Sequence, residues 1–374
     1  MAFALSLGSM QLLSARTSFR RFRASAGGEF PSFIPKQVEN IKDTFARKLV
    51  SRIERLPVDL SGTRLMASCV KPVLSGKTSP LVLLHGFDSS CLEWRYAYPL
   101  LEEAGLEAWA VDVLGWGFSD LEENLPSCDV ESKRECLYQM WKSYIKKPMT
   151  LVGPSLGAAL AIDFAVAHPE AVEKLVLIDA SVYAEGTGKM STLPKVLAYA
   201  GVAVLKSFPL RFYANVLSFK DLSLNTAIDW TNIGRLHCQF PWWEDATVDF
   251  MRSGGFNVSN QIEQVNQRTL IIWGQDDRII DSKLAVRLHC ELPNAILRQI
   301  PDCGHLPHVE KPVDVVKLIA EFIMEESPPQ ARCTLANGHT TIPVICKTVT
   351  FILVEFINHV IHYLINLLAI VHSL

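Results

Sequence analysis

The sequence predicts an α/β fold built on a mostly parallel sheet, with a mainly helical segment inserted between two of the strands. Short apolar runs of strand character alternate with helix-forming segments between about residue 80 and residue 179. The alternation stops from about residue 181 to residue 267, where proline, aromatic and helix-forming residues predominate, and then it resumes. Strands that alternate with helices form parallel sheets, which carry their functional sites at the carboxyl ends of the strands.

The predicted strands and helices occur in a regular order along the chain. Apolar strand-like runs lie at residues 80–84, 107–113, 149–152, 174–179, 269–273 and 295–300, and predicted helices cover 130–146 and 155–168. The aromatic-rich insertion at 181–267 follows the run 174–179, which we count as the sixth strand of the sheet, and it is typical of a lid over the edge of the sheet. Residues 61–180 and 268–326 then form the two parts of one core, with helices on both faces of the sheet.

Composition and charge narrow the class of protein. The chain has 374 residues, 49% of them hydrophobic and 20% charged, which suits one large α/β domain with an insertion or two small domains. A net charge of −3 gives no electrostatic reason to expect nucleic acid as a partner. The nine cysteines contain no Cys-x-x-Cys pair, which indicates buried thiols in a reducing compartment rather than a disulfide or zinc framework.

The first 28 residues contain four arginines, five serines and no acidic residue. This composition predicts an organellar transit peptide, which we assign to residues 1–35, and its start favours a plastid over a mitochondrion. A secretory signal is disfavoured because the arginines follow the apolar stretch instead of preceding it. A disordered N-terminal arm is the structural alternative.

Residues 36–60 are predicted to form a basic amphipathic helix. Val38, Ile41, Phe45, Leu49 and Ile53 recur at helical spacing, with lysines and arginines between them. Packing of the apolar face on the rest of the domain is the favoured interpretation. Peripheral contact of residues 38–55 with an anionic membrane surface is the alternative.

The C-terminal residues 327–374 consist of a polar linker and an apolar tail. The tail, 349–374, is long enough for a transmembrane anchor, but Glu355, His359, His362 and Asn366 place a polar stripe on one helical face. An amphipathic helix that contacts a membrane surface or a partner, and a non-native extension, are the other two interpretations. No chemistry is assigned to this tail.

The pentapeptide Gly-Pro-Ser-Leu-Gly at 153–157 is the most informative motif of the chain. It lies between a predicted strand and a predicted helix, so Ser155 occupies a strand-to-helix turn. Gly153 and Gly157 suit a turn that is too tight for side chains at its flanks, and such a turn projects the serine hydroxyl over the sheet edge. The amino terminus of the following helix favours developing negative charge. This pattern predicts acyl-enzyme chemistry.

A base and an orienting carboxylate follow Ser155 along the chain. A serine hydroxyl is a weak nucleophile at neutral pH and needs both groups. Asp276 and Asp277 come just after the strand 269–273, and His305 comes after the strand 295–300. Because parallel strands end at the same sheet edge, these side chains are predicted to meet Ser155 there.

Five motifs in this order identify a family resemblance. Over residues 60–326 the chain resembles serine-dependent α/β-hydrolase-fold proteins of the branch with a His-Gly oxyanion loop and, with its presequence, a plastid-targeted plant member. The motifs that carry the resemblance are Leu84-His85-Gly86-Phe87, Asp112-x-x-Gly115-x-Gly117-x-Ser119-Asp120, Gly153-x-Ser155-x-Gly157, Gly274-x-x-Asp277 and Gly304-His305-x-x-His308-x-Glu310-x-Pro312.

The resemblance implies a role for each site residue. Ser155 is the expected nucleophile, His305 the general base and then acid, and Asp277 the carboxylate that orients the imidazole. The Gly-x-x-Asp register selects Asp277 over Asp276, and His308 is expected to be structural. The oxyanion hole is expected to be formed by the backbone N–H groups of Phe87 and Leu156. The residues expected to shape its loop and the serine turn are His85, Gly86, Gly153 and Gly157.

The resemblance further implies hydrolysis of an ester or thioester through an acyl-enzyme, and the aromatic residues of the insertion indicate a substrate with an apolar arm. Epoxide hydrolases and haloalkane dehalogenases of this architecture need a carboxylate where this chain has Ser155, so both are disfavoured. Acyl transfer, carbon–carbon bond hydrolysis and perhydrolysis use similar groups and stay open, as does a receptor-like protein that binds a ligand with slow or no turnover. No metal or organic cofactor is predicted, because the sequence has no ligand cluster or Gly-rich phosphate loop.

Overall fold

One eight-stranded sheet organises the part of the chain that the structure describes. The computed structural model describes residues 30–73, 78–123 and 125–325. The strands are β1 (Ile53–Leu60), β2 (Thr63–Val70), β3 (Leu81–Leu83), β4 (Ala108–Val111), β5 (Met149–Pro154), β6 (Val172–Ile178), β7 (Arg268–Gly274) and β8 (Ala295–Ile300). Across the sheet they follow the order β1-β2-β4-β3-β5-β6-β7-β8. The β1–β2 and β2–β4 pairs are antiparallel and all other pairs are parallel, which confirms the predicted mostly parallel sheet.

Helices cover both faces of this sheet and fill the insertion. The α-helices are α1 (Thr44–Val50), α2 (Ala97–Glu103), α3 (Val130–Met140), α4 (Leu156–Ala167), α5 (Lys195–Leu205), α6 (Phe208–Ser218), α7 (Leu224–Gly234), α8 (Trp243–Ser253), α9 (Lys283–Glu291), α10 (Pro307–Glu310) and α11 (Pro312–Met324). Short 3₁₀ segments and one π-helical turn at the end of α3 complete the helical parts: Lys36–Asn40, Cys91–Trp94, Pro169–Ala171, Gly188–Thr192, His237–Gln239, Ser259–Gln264 and Trp141–Ile145. Helices α5 to α8 lie between β6 and β7, as the helical insertion after the sixth strand requires, and we call residues 181–267 the lid.

Local sequence sets several of the helix boundaries. Asp43 and Asp129 cap α1 and α3, because their carboxylates accept hydrogen bonds from backbone N–H groups of the first turn. Ser223 caps α7 in the same way. Gly254, with a φ of 101°, ends α8 in the left-handed conformation that glycine adopts without steric cost.

Alternation along the strands divides the core between the two faces of the sheet. Leu81 and Leu83 belong to the apolar layer that includes α2 and α11, whereas Val82 and Leu84 belong to the layer that includes α3 and α4. Ten of the twelve residues of α4 are buried, since the sheet covers one side of this helix and α3 and the segment Ser259–Gln264 cover others. The helix that follows Ser155 is therefore almost completely enclosed by protein.

The prediction of one basic amphipathic helix over residues 36–60 is wrong. Only α1 and the 3₁₀ segment before it are helical, and residues 53–60 form β1, which pairs with β2. Pairing with β2 and the alternating burial along β1 override the helical spacing. Val38, Ile41, Leu49 and Ile53 are buried in the core, while Phe45 is 45% exposed. The apolar face assigned to residues 38–55 therefore packs mainly on the protein itself.

The folded part of the chain includes residues that we assigned to the transit peptide. Ile34 is buried, and the guanidinium groups of Arg47 and Arg55 lie over the rings of Phe30 and Phe33 at 4.7 and 4.2 Å. The rest of the predicted transit peptide, residues 1–29, and the apolar tail at 349–374 lie outside the described residues. Among the described helices, none combines the length and apolar character needed to cross a membrane.

A buried lysine connects α3 to the loop after β4 and to the lid. Lys133 is 1% exposed, its Nζ donates to Leu114 O, and it lies 3.9 Å from the ring centre of Trp116 and 4.8 Å from that of Phe250. Burial lowers the pKa of Lys133 to about 8. The folded protein therefore binds this proton less tightly than the unfolded chain does.

Replacing Lys133 with methionine is expected to alter the pH dependence of stability. Between about pH 8 and the usual lysine value of 10.5 the unfolded chain holds the extra proton, so the free energy of unfolding of the wild type rises with pH in that interval. The variant lacks this gain, so the wild type should gain about 1–2 kcal/mol over Lys133→Met between about pH 7 and about pH 9.5. Urea unfolding at both pH values measures this difference. Lys317→Met, on the exposed face of α11, is the control and should show no such change. A difference that is independent of pH contradicts the prediction.

Candidate active site

Ser155 lies in the turn between β5 and α4, at the carboxyl edge of the parallel strands. Its φ of 49° and ψ of −119° are rare for a residue with a side chain, and its backbone N–H donates to Ile178 O at 2.8 Å. A Cβ on Gly157 would lie 2.6 Å from His85 O, and one on Gly153 would lie 2.3 Å from Gly157 O. The turn therefore requires glycine at both positions, and it packs against the loop that follows β3.

Three side chains form a hydrogen-bonded chain at this edge. His305 Nε2 lies 3.0 Å from Ser155 Oγ, and His305 Nδ1 lies 2.8 Å from Asp277 Oδ2. His305 is 2% exposed and Ser155 is 9% exposed, so protein surrounds both groups. Such an arrangement can pass the hydroxyl proton to the imidazole while the carboxylate stabilises the positive charge that results.

Asp277, and not Asp276, faces the imidazole. Asp277 Oδ1 accepts hydrogen bonds from two backbone N–H groups of the following turn, which leaves Oδ2 for His305. Burial alone would raise the pKa of Asp277, but the charge and hydrogen bond of His305 hold that pKa below its usual value. Asp276 instead pairs with Lys220 of the lid at 3.0 Å.

Two backbone N–H groups near the serine donate to no acceptor in the described chain. Leu156 opens α4, and the first N–H groups of a helix have no partner within the helix. Phe87 follows Gly86 in the loop after β3, and a Cβ on Gly86 would lie 3.6 Å from Ser155 Cβ. The two donors and the helix terminus suit a negative oxygen that forms on a carbonyl attacked by Ser155.

His85 supports this loop from the core side. Its Nε2 accepts from Val113 N–H at 3.0 Å, so its Nδ1 carries the proton that is donated to Gly86 O at 2.8 Å. This pattern requires the neutral imidazole, and burial lowers the pKa of His85. Both ring nitrogens are engaged, so His85 orients the peptide that contains the Phe87 N–H.

A buried Glu93–His308 pair, of which sequence analysis identified only the histidine, lies behind the same loop. His308 Nε2 is 2.9 Å from Glu93 Oε1, and the carboxylate also accepts from Gly86 N–H at 3.2 and 3.3 Å. Burial would raise the pKa of Glu93, but the hydrogen bond and charge of His308 lower it. Glu93 lies 215 residues from its partner and in no motif, so local sequence carries no signal for it.

Asp179 is a second acid that sequence analysis missed, although it is the last residue of the predicted strand 174–179 and directly follows β6. It is fully buried, and its Oδ1 accepts from Gly274 N–H at 3.0 Å. One oxygen of Asp179, one of Asp277 and a ring nitrogen of His305 lie within 4.8 Å of one another. Burial, and then repulsion by Asp277, raise the pKa of Asp179 well above its usual value. The site therefore favours the protonated form of Asp179 and the ionised form of Asp277, the partner of His305.

Asp88 is a third buried acid with no signal in the sequence. It follows Phe87 in the loop after β3, which we call the oxyanion loop, and its carboxylate contacts Arg211, His237 and Trp243. These three partners belong to the lid and lie at least 123 residues away along the chain. The loop that carries Phe87 is thus held from the lid side as well as from the core side.

A cavity of about 160 Å³ opens onto Ser155 and His305 between the sheet edge and the lid. The oxyanion loop, helices α5 to α7 and the loop after β8 supply its mostly apolar walls. The apolar residues that line it are Phe87, Leu205, Leu210, Ala214, Trp230 and Leu306. A substrate carbonyl at Ser155 would therefore have an apolar group of the substrate against the lid.

Two groups of described side chains come close enough together to bind a metal ion, Asp179 with Asp277 and His305, and Asp88 with His237 and Cys238. In the first group, the carboxylate and the imidazole are already hydrogen-bonded to each other. In the second group, the guanidinium of Arg211 lies against both Asp88 and Cys238, so a metal ion would meet a fixed positive charge. In both groups, potential ligand atoms are therefore already engaged by other side chains.

Comparison with known proteins gives consistent matches. Residues 79–312 match the sequence model of the alpha/beta hydrolase fold. An Arabidopsis thaliana protein named alpha/beta hydrolase domain-containing protein VTE7 is 58% identical over 324 residues, which cover 84% of this chain and 98% of that protein. A 2-hydroxy-6-oxononadienedioate/2-hydroxy-6-oxononatrienedioate hydrolase of Cupriavidus pinatubonensis is 26% identical over 264 residues, 65% of this chain and 86% of that protein. The structure of the meta-cleavage product hydrolase CumD of Pseudomonas fluorescens IP01 covers 71% of this chain and 96% of its own, with a TM-score of 0.58 at 21% identity, which shows the fold alone.

The two neighbouring acids are expected to respond differently to the same substitution. Asp277→Asn removes the charge that stabilises the imidazolium and should slow reaction of Ser155 with an organophosphorus reagent by up to about 10⁴-fold. Asp179→Asn replaces a protonated carboxyl with an amide of the same shape and should change that rate by less than about tenfold. Inactivation kinetics on both purified variants measure the two rates.

Thermal unfolding at neutral pH provides an independent check on Asp179. Its pKa is raised on folding, so at neutral pH, where the unfolded chain ionises this carboxyl group, burying it costs free energy. Asp179→Asn avoids that cost and should be at least as stable as the wild type. A large loss of stability, or a loss of rate equal to that of Asp277→Asn, contradicts a protonated Asp179.

Proposed function

The chain belongs to the alpha/beta hydrolase fold family, and from that premise we propose that the protein is a serine hydrolase that cleaves an ester or thioester with an apolar arm. The observation that carries the proposal is the hydrogen-bonded chain from Ser155 Oγ through His305 to Asp277, with distances of 3.0 and 2.8 Å. Because this chain lies at a cavity with mostly apolar walls, it supports acyl transfer from an apolar substrate to Ser155.

In the acylation step, Ser155 Oγ attacks the substrate carbonyl carbon while His305 Nε2 takes the hydroxyl proton. Asp277 stabilises the imidazolium, and the N–H groups of Phe87 and Leu156 bind the oxygen that becomes negative. When the tetrahedral intermediate collapses, the bond to the alcohol or thiol breaks and His305 returns the proton to that leaving group. The acyl group remains on Ser155.

Deacylation repeats these steps with water as the nucleophile. His305 removes a proton from the water, the same two N–H groups bind the second oxyanion, and collapse releases a carboxylic acid and restores the Ser155 hydroxyl. Asp179 and His85 take no proton in this scheme, since burial favours the protonated form of Asp179 and both ring nitrogens of His85 are engaged.

The charges around the cavity favour an uncharged substrate. Within the described lining, Arg211 supplies the guanidinium, and all five of its N–H groups point to protein acceptors: Leu205 O, Gly234 O, the backbone oxygen and carboxylate of Asp88, and Cys238 Sγ. Asp88 and Glu93 add negative charge to the same wall. The relative from Cupriavidus is named for a dicarboxylate substrate. This cavity suits neutral esters or thioesters instead.

We place the activity in a plastid, on the basis of the arginine-rich and serine-rich first 28 residues, which contain no acid. Contact of the tail at 349–374 with a membrane surface stays a prediction. Imaging of a fluorescent fusion with and without residues 1–35 tests the plastid location, and imaging with and without residues 349–374 tests the membrane contact.

Activity-based labelling of Ser155 tests the proposal. The full-length protein should react with a fluorophosphonate probe, and Ser155→Ala and His305→Ala should lose nearly all labelling, since each removes a group that the displacement requires. In-gel fluorescence and mass spectrometry of the labelled peptide measure the reaction. A folded wild-type protein that does not react overturns the hydrolase proposal and favours the receptor-like alternative.

A matched pair of substrates tests the preference for neutral molecules. A p-nitrophenyl ester of a medium-chain fatty acid should be cleaved with a kcat/KM at least about 10²-fold above that of the same chain with a terminal carboxylate, because the described lining of the cavity offers no free lysine or arginine to pair with that charge. Initial rates over a range of substrate concentrations give both values. Equal values, or faster cleavage of the carboxylated ester, contradict the charge argument.

A further inference from the structure

Asp88 joins the oxyanion loop to the lid through buried, charged contacts. It is 7% exposed, directly follows Phe87 and has a φ of 49°. Its Oδ2 accepts from Arg211 Nη2, and its Oδ1 lies 2.9 Å from His237 Nε2 and 2.8 Å from Trp243 Nε1. Asp88 and these three partners, which we call the Asp88 cluster, are not required by the proposed proton transfers.

The charges of the Asp88 cluster keep it together at neutral pH. Burial alone would raise the pKa of Asp88, but the charges and hydrogen bonds of Arg211 and His237 lower it. Burial would lower the pKa of His237, yet contacts with Cys238 and Asp88 raise it to about 9. The Asp88 carboxylate therefore faces the guanidinium of Arg211 and the imidazole of His237 in a site that water hardly reaches, where ionic contacts are strong and costly to break.

Arg211 also connects three lid helices to one another. It belongs to α6, and its Nε donates to Leu205 O, the last residue of α5, at 2.9 Å. Its Nη1 donates to Gly234 O, the last residue of α7, at 3.0 Å. The last carbonyl groups of a helix lack partners within that helix, so one guanidinium completes the ends of two helices and holds Asp88.

The conformation of Asp88 makes this contact relevant to the oxyanion hole. A positive φ is unfavourable for a residue with a Cβ, so it persists where the surroundings impose it. The core holds Gly86, one residue before Phe87, through His85 and Glu93. The lid holds Asp88, one residue after it. The direction of the Phe87 N–H is thus determined between one anchor in the core and one in the lid.

We propose that Arg211 and Asp88 are positioning residues of the oxyanion hole, so that the hole is complete only when the lid is assembled on the oxyanion loop. The inference rests on the proposed function, because it concerns the transition state of the reaction at Ser155. The same helix α6 carries Leu210 and Ala214, which line the cavity. A substrate whose apolar arm packs on α6 therefore packs on the element that holds Asp88.

The test compares two buried ion pairs in the full-length protein. Arg211→Met breaks the Asp88 cluster. Arg134→Met breaks the matched Arg134–Asp163 pair, which joins α3 to α4 outside the cavity lining. The side chain of the carboxylate left behind is 5% exposed, against 6% for the side chain of Asp88. Both variants lose a buried ionic contact, but only the first disturbs the oxyanion loop. Cooperative thermal unfolding of each variant establishes that it is folded.

The proposal expects a loss in kcat that the control does not show. Arg211→Met should lower kcat for a short neutral ester by at least about tenfold with KM changed less than about threefold, since outright loss of one oxyanion donor costs about 10²–10³-fold. Inhibition by a trifluoromethyl ketone, whose hemiketal oxyanion occupies the hole, should weaken by a similar factor. Arg134→Met should keep both values within about threefold of the wild type.

Each remaining outcome has a defined meaning. If Arg211→Met does not fold, Asp88→Asn, which keeps the shape of the side chain and removes its charge, replaces it with the same expected losses. Folded variants with wild-type kcat and wild-type inhibition by the ketone overturn the positioning role while the hydrolase proposal stands. A wild-type protein that reacts neither with the ester nor with a fluorophosphonate overturns the proposed function and this inference with it.

Discussion

The close packing of the Ser155 turn against the loop after β3 is the constraint on which the rest of the site depends. Gly157 approaches His85 O so closely that any Cβ there would collide with it, and Ser155 itself takes a strained conformation fixed by Ile178 O. This contact brings the first turn of α4 and the oxyanion loop to the same point. The N–H groups of Leu156 and Phe87 flank Ser155 because two loops from different strands meet there without side chains between them.

Four carboxyl groups are buried around Ser155, and their pKa values shift in two directions. Asp277, Glu93 and Asp88 are each paired with a basic side chain, His305, His308 or Arg211, which keeps their pKa values low despite burial. Asp179 has no basic partner and lies beside another acid, so its pKa is raised. The local dielectric makes each charge expensive unless it is paired. One ionised carboxylate therefore faces His305.

The lid contributes more than the walls of the cavity. Besides Arg211 at Asp88, it supplies Ser218, whose carbonyl oxygen accepts from the backbone N–H of His305 at 2.7 Å. It also supplies Lys220, which pairs with Asp276 and Asp302. The lid thus touches both the loop of the proposed base and the loop of the proposed oxyanion hole. These contacts form only when the lid lies on the sheet edge.

Local sequence patterns were enough to predict the parallel sheet, the place of the insertion and which serine, histidine and aspartate lie at one edge. Those inferences needed only local pattern, because strands and tight turns are marked by short-range periodicity and by glycine, and parallel strands bring their ends together. At residues 36–60 the helical spacing of apolar residues predicted a helix, but residues 53–60 form β1 because they pair with β2. That pairing could not be predicted from the segment alone.

The partners of the buried charged groups follow from the folded structure and could not be predicted from local sequence. His237 lies 149 residues from Asp88, and His308 lies 215 residues from Glu93, so neither pair leaves a local pattern. The sequence does not show whether folding will lower the pKa of an aspartate, as it does for Asp277, or raise it, as it does for Asp179. Burial and the charge of the nearest neighbour settle that difference, and both exist only once the chain has folded.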